Sequence, residues 1–172
     1  PDELVCLDQA PITLSQYSPS GGFWTGTGIV DPIAGIFDPA QAGGGIHVLT
    51  YTEGQGSCEK SDTKIIEVVD LSAVQAGPDQ SVCLEDMVMA LTGNDPLGGT
   101  WNGAGIIDPV AGLFNPLAAG EGVHTLVYTI TDTVSGCTAI DVKQIVVNPL
   151  PIANFAAPVE ACVGEEVSFT NS

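Results

Sequence analysis

Apolar and polar residues alternate along the longest Gly/Pro-free stretches of this chain. In VHTLVYTITD, Val123 to Asp132, the residues His124, Leu126, Tyr128 and Ile130 fall on one face and Val123, Thr125, Val127 and Thr129 on the other. The stretch around His47, Leu49 and Tyr51 keeps the same phase, so this face is predicted to line a core. Ile66 with Val68, and Ile145 with Val147, continue the alternation in a later strand. Nowhere does a helical period last over 11 residues. Val, Ile, Leu, Thr and Ala supply the apolar positions, and 21 glycines and 12 prolines break them into short strands joined by many turns. The pattern predicts an all-β protein.

The pattern also repeats. GGFWTGTGIVDPIAGIFDP (Gly21 to Pro39) lies over GGTWNGAGIIDPVAGLFNP (Gly98 to Pro116), and one offset of 77 aligns residues 1–52 with 78–129 at 26 identities in 52 positions. Past residue 52 the second copy gains two residues, so Cys58 maps to Cys137 and Lys64 to Lys143, an offset of 79. The organisation expected is one repeat over 1–70, a second over 71–148, and the start of a third module over 149–172, whose Cys162, Val167 and Phe169 read as first strands. The sequence is expected to open inside a module at Pro1 and to close inside another at Ser172. Each repeat holds six or seven short strands with Trp24 or Trp101 as core aromatic, and Phe37 and Phe114 precede segments that cross between sheets. A two-sheet sandwich follows. The order Cys6, Trp24, Tyr51, Cys58 resembles an immunoglobulin domain, although Cys58 trails Tyr51 by seven residues and so falls in the loop beyond that strand.

Charge narrows the function. Twenty-one acidic residues face three lysines (Lys60, Lys64, Lys143), giving a formal net charge of −18. Such a chain repels phosphate backbones and anionic lipid, which excludes nucleic acid as a partner. No apolar run approaches the roughly 20 residues of a membrane span, so no membrane insertion is expected in this segment.

Candidate chemistry is sparse. Each repeat carries two cysteines and no Cys-x-x-Cys pair, which predicts the disulfides Cys6–Cys58 and Cys83–Cys137, an oxidising compartment, and Cys162 unpaired within these residues. Each bridge would add about 4 kcal/mol by the chain-entropy estimate, a large share for a repeat this small. His47 and His124 lack acidic or cysteine neighbours at ligand spacing and read as packed strand residues, not metal ligands. No Gly-x-Ser-x-Gly elbow is present, and each copy has a single histidine. Carboxylate pairs are available in number, but a catalytic pair has no reason to recur in duplicate in modules without a cleft. Gly26-Thr27-Gly28 and Gly43-Gly44-Gly45 are followed by no helix and read as turns. Lys64 and Lys143 read as charged gatekeepers on an edge strand, with an isopeptide cross-link as the rarer alternative. The chain is expected to have no catalytic residues.

The string V-C, GGxWxGxGIxDPxAGxFxP, AGxGxHxLxY and a late Cys resembles repeats of giant cell-surface proteins of Bacteroidota, over nearly all of residues 1–148. The tail from Pro151 is similar to the opening of a PKD-type module. The resemblance implies tandem Ig-like sandwiches in an extended array, export by the type IX secretion system, and a role in gliding-motility adhesins of the SprB kind. It admits equally a spacer role in other secreted proteins. It further implies O-glycosylation at Asp-Ser/Thr-apolar motifs, which Asp132-Thr133-Val134 fits at Thr133.

The leading expectation is therefore a secreted, cell-surface structural and adhesive array. Its partners would be the neighbouring modules of the same chain, surface polysaccharide or other filament chains. The alternative is a carbohydrate-binding or spacer module of a secreted hydrolase. Sugar platforms need outward aromatics, and the two tryptophans read as core. The linker from Asp70 to Gln80 has no Gly/Ser tract, and its Leu71 and Val74 invite packing. Pro149 and Pro151 stiffen the second linker, so a rod about 80 Å long is expected for two modules. No cofactor is expected beyond Ca²⁺ at the first junction, between Asp70 and Asp79.

Overall fold

The alternating stretches become the two longest strands of each repeat. The structure, a computed structural model, describes residues 2–54 and 56–152, with short stretches beyond them at 155–156, 163–164, 166 and 170–171. The first repeat runs β1 (Glu3–Cys6), β2 (Ile12–Thr13), β3 (Phe23–Thr25), β4 (Ile29–Asp31), β5 (Ile36–Phe37), the one-turn helix α1 (Pro39–Ala42), β6 (Gly45–Glu53) and β7 (Lys60–Val69). The second repeats it as β8 (Gln80–Cys83), β9 (Met89–Ala90), β10 (Thr100–Asn102), β11 (Ile106–Asp108), β12 (Leu113–Phe114), α2 (Pro116–Ala119), β13 (Gly122–Thr131) and β14 (Thr138–Asn148). A short antiparallel pair, β15 (Phe155–Ala156) with β16 (Thr170–Asn171), follows.

Each repeat is an all-β sandwich of a four-stranded and a three-stranded sheet, ordered β1-β7-β6-β3 over β2-β5-β4 in the first and β8-β14-β13-β10 over β9-β12-β11 in the second. The inward face of β6 is the one the alternation marked: Leu49 and Tyr51 are buried and His47 half-buried, while Ile46 and Val48 look out. Trp24 and Trp101 rise from β3 and β10 into the two cores, where they pack on Tyr51 and Tyr128 at ring-centroid distances of 5.1 and 4.8 Å. Both tyrosine hydroxyls are satisfied, donating to Pro19 O and Pro96 O at 2.7 Å. Each histidine bonds through Nε2 to a glycine carbonyl four residues back, Gly43 or Gly120, at 2.8 Å. That is a local brace, as the packed-strand reading requires.

The crossover between sheets is built the same way twice. Asp38 accepts from Ala40 N and Asn115 from Leu117 N, each at 3.0 Å, capping a single helical turn that begins with proline. The Gly-x-Gly before it is a steric necessity. A Cβ at Gly28 would sit 2.6 Å from both the Phe37 ring and Ala42, with φ at +88°.

The outer strand pairing sets the direction of the whole chain. β1 runs parallel to β7, with Glu3 opposite Ile66 and Cys6 opposite Val69, and β8 runs parallel to β14, with Cys83 opposite Asn148. Asp2 and Asp79 fasten these pairs by accepting from Ile65 N at 2.8 Å and Gln144 N at 2.7 Å. With its first and last strands parallel, each sandwich takes the chain in at one pole and releases it at the other.

Candidate functional site

The polarity of the fold overturns the expected disulfides. β7 begins at Lys60, next to Cys58, and ends at Val69, opposite Cys6. Nine strand steps of about 3.3 Å put roughly 30 Å between the two cysteines, against the 7 Å or less that a bridge allows. The register of β8 on β14 separates Cys83 from Cys137 in the same way. Neither Cys6–Cys58 nor Cys83–Cys137 forms. Cys6 instead bonds to Cys137 across the junction, with 5.6 Å between the Cα atoms, and Cys58 and Cys83 are exposed free thiols at opposite poles. Cysteine counting could not find this, because a four-residue strand such as β1 alternates identically whether it pairs parallel or antiparallel. Cys162 lies outside the described residues.

The Cys137 side of the junction is the turn between β13 and β14, and it is organised by one carboxylate. Asp132 Oδ1 accepts from Ser135 N and Ser135 Oγ at 2.7 Å each and from Val134 N at 3.1 Å. Asp132 N in turn donates to Cys137 O at 2.8 Å. The Ser135 backbone and hydroxyl bonds hold the Asp132 carboxyl below the usual carboxylate range. Thr133, the expected glycosylation site, is exposed at the tip of this turn, beside the buried Cys137.

The linker is the other half of the junction, and most of it belongs to the second core. Leu71 and Val74 pack against that core and Ala76 is wholly buried in it. Gln75 and Asp95 exchange backbone hydrogen bonds of 2.7 and 2.9 Å, and Ala76 N donates to Asp141 Oδ2 at 2.8 Å. The Ala76 bond is the main reason the Asp141 carboxyl also sits low. Leu71 reaches back as well, sharing a cleft with Cys6, Leu7 and Ala139. Gly44 of the first repeat lies so near the linker that a Cβ there would come within 2.6 Å of Asp70 Cβ.

The two lysines differ from the gatekeeper expectation. Lys143 sits inside β14, fully buried, and its Nζ donates to Thr92 O at 3.1 Å. Burial lowers its pKa, with Asp79 pulling the other way. Lys64, its counterpart, pairs with Glu3 at 3.0 Å and is 18% exposed. Asp70, expected to share a calcium ion with Asp79, accepts from Ser72 N at 2.8 Å, whereas Asp79 is committed to Gln144. Among the described residues no three His, Cys, Asp or Glu side chains gather as metal ligands, and no helix is long and apolar enough to cross a membrane.

These features define a tandem β-sandwich chain whose distinctive site is a covalent junction between repeats. The sequence matches no protein-family model and no curated protein. Among solved structures, the crystal structure of human protocadherin-24 EC1-2 superposes with a TM-score of 0.34 at 8% identity, covering 87% of this chain and 95% of that one. A score of that size does not define a shared topology.

Proposed function

We propose that this chain is a non-catalytic segment of a secreted cell-surface adhesive array, in which the repeats act as stiff spacers. The observation that carries the reading is the junction itself. A linker with no Gly/Ser tract is absorbed into the second core, and a disulfide 131 residues apart in sequence pins the two sandwiches together. That bridge supports an oxidising, extracellular setting. Export by type IX secretion, gliding motility and a glycan on Thr133 rest on the sequence resemblance alone. The inward placement of Trp24 and Trp101, each 3% exposed, weighs against a sugar-binding platform.

Small-angle scattering of the oxidised chain tests the reading. The expected result is an extended particle of roughly 80 Å across the two sandwiches, with a narrow distance distribution. A compact or widely bending pair would reject the spacer role. Adding a chelator to the same sample tests calcium at the junction, since an unchanged profile and melting temperature would exclude it. For Thr133, a glycopeptide from native material is the expected finding, and an unmodified peptide would remove that assignment.

A further inference from the structure

The second repeat is completed by the first. Its groove, between the strand β14 and the loop before β10, is filled by Val74, Gln75 and Ala76 of the linker, and its turn cysteine is taken by Cys6. The first repeat has the same groove with nothing in it. Ser18, Asp62 and Lys64, the counterparts of Asp95, Asp141 and Lys143, line an open cavity of about 490 Å³. The backbone there is already in the matching form, with Gln16 at φ +67° where the filled groove has Gly93 at +86°. Tyr17, in the place of Asn94, packs edge-on against Trp24 and tilted against Tyr51, and the three rings line the cavity. Asp62 bonds only its neighbour Thr63 N at 2.8 Å among the described residues, whereas Asp141 receives the linker. Cys58, exposed and equivalent to Cys137, stands at the same pole, just before β7 begins.

We propose that this pole of the first repeat is an acceptor for another repeat of the same kind. The incoming repeat lays its exit linker, an extended apolar segment like Leu71 to Ala76, into the groove, and its first-strand cysteine forms a disulfide with Cys58. The chemistry suits such a segment. An extended strand offers N–H groups to Asp62, small apolar side chains fit over Tyr17, and a neutral peptide avoids the charge of Asp2 and Asp62. Closing the bridge joins two thiols into one disulfide, releasing two protons and two electrons to an external thiol oxidant such as a disulfide exchange catalyst. Cys83 is the mirror image, an exposed thiol at the exit pole in the position of Cys6. Cys6, Cys83 and Cys162 recur at intervals of 77 and 79 residues, so each repeat would donate one cysteine forward and accept one from behind. Every bridge in such a ladder joins neighbours, and none closes within a repeat.

The inference rests on reading the chain as part of a repeat array, but its test reads thiols and amide exchange and leaves shape aside. A second copy of residues 1–77, carrying Cys58→Ser so that one Cys58 remains, is fused directly before Pro1 of the whole chain, and the oxidised product is alkylated and mapped without reduction. The expected result is a peptide joining the added copy's Cys6 to Cys58, with Cys83 still alkylated. A Cys58 that stays open to alkylation, or that pairs with Cys83, overturns the proposal. The same fusion with Cys6→Ser in the added copy examines the groove without the bridge. Hydrogen exchange of the amides from Asp62 to Lys64 is expected to slow about tenfold or more relative to the original chain. Unchanged exchange would show that no linker seats there.

Discussion

Lys143 brings an ammonium group into a sandwich core, with one backbone carbonyl as its hydrogen-bond acceptor. Because burial lowers its pKa, the unfolded chain binds the proton more tightly than the folded one does, and stability rises with pH between the folded value and the ordinary 10.5. The denaturation midpoint of the native chain is therefore expected to climb relative to that of Lys143→Met as pH is raised toward 10.5. Parallel curves would mean that the ammonium is not desolvated. Asp132 and Asp141 behave in the opposite sense. Their folded pKa values lie below the ordinary carboxylate value, so what they contribute is fully present above the unfolded pKa and is lost as pH falls through the folded one. Acid should thus loosen the turn and the linker anchor together. In Asp141→Asn that part of the acid dependence of the linker's amide exchange is expected to disappear.

At the level of elements, the Gly-x-Gly turn before the crossover gives a sharp comparison. At Gly105 a Cβ would lie 2.6 Å from the Phe114 ring and 2.7 Å from Ala119 Cβ at φ +85°, whereas at Gly98, with φ +97°, it would meet nothing within 4 Å. Gly105→Ala is expected to cost about 2–4 kcal/mol by denaturant unfolding, from overpacking added to backbone strain. Gly98→Ala, with strain alone, should cost about 1–2 kcal/mol. Equal losses would mean that the crossover packing gives way. These sandwiches were largely readable in sequence, because period-two alternation names the inward face and duplication checks it independently at Leu49 and Leu126. The path of β1 was not readable. Val5 alternates with Leu4 and Cys6 in either direction of pairing, and the direction decides which pole holds Cys6. Nor does any local signal separate Lys64 from Lys143, since what differs is the partner, Glu3 at the surface for one and the buried carbonyl of Thr92 for the other.

For the whole molecule the Cys6–Cys137 bridge matters more than its nominal energy. The chain-entropy estimate for a loop this long is about 5 kcal/mol, but it applies only when both repeats unfold together. Each sandwich keeps its own core, so reduction is expected to leave the far-ultraviolet circular dichroism unchanged while broadening the distance distribution in scattering. Loss of β-signal on reduction would show that the cores depend on the bridge. The bridge also redirects mechanical load. Tension applied at the two ends enters along β1, crosses from Cys6 to Cys137, and leaves along β14, so the covalent path skips residues 7–136 altogether. Only β1 of the first sandwich and β14 of the second then lie in series with the pull. Pulled to rupture, the oxidised chain can pay out only the residues outside the bridge, roughly 150 Å of contour, against roughly 600 Å for the reduced one. Single-molecule extension should release roughly 450 Å more contour after reduction than before it, and equal lengths would mean that the bridge carries no load. An oxidised chain of this design behaves as a tether with a built-in stop: whatever the drag, residues 7–136 add nothing to its reach.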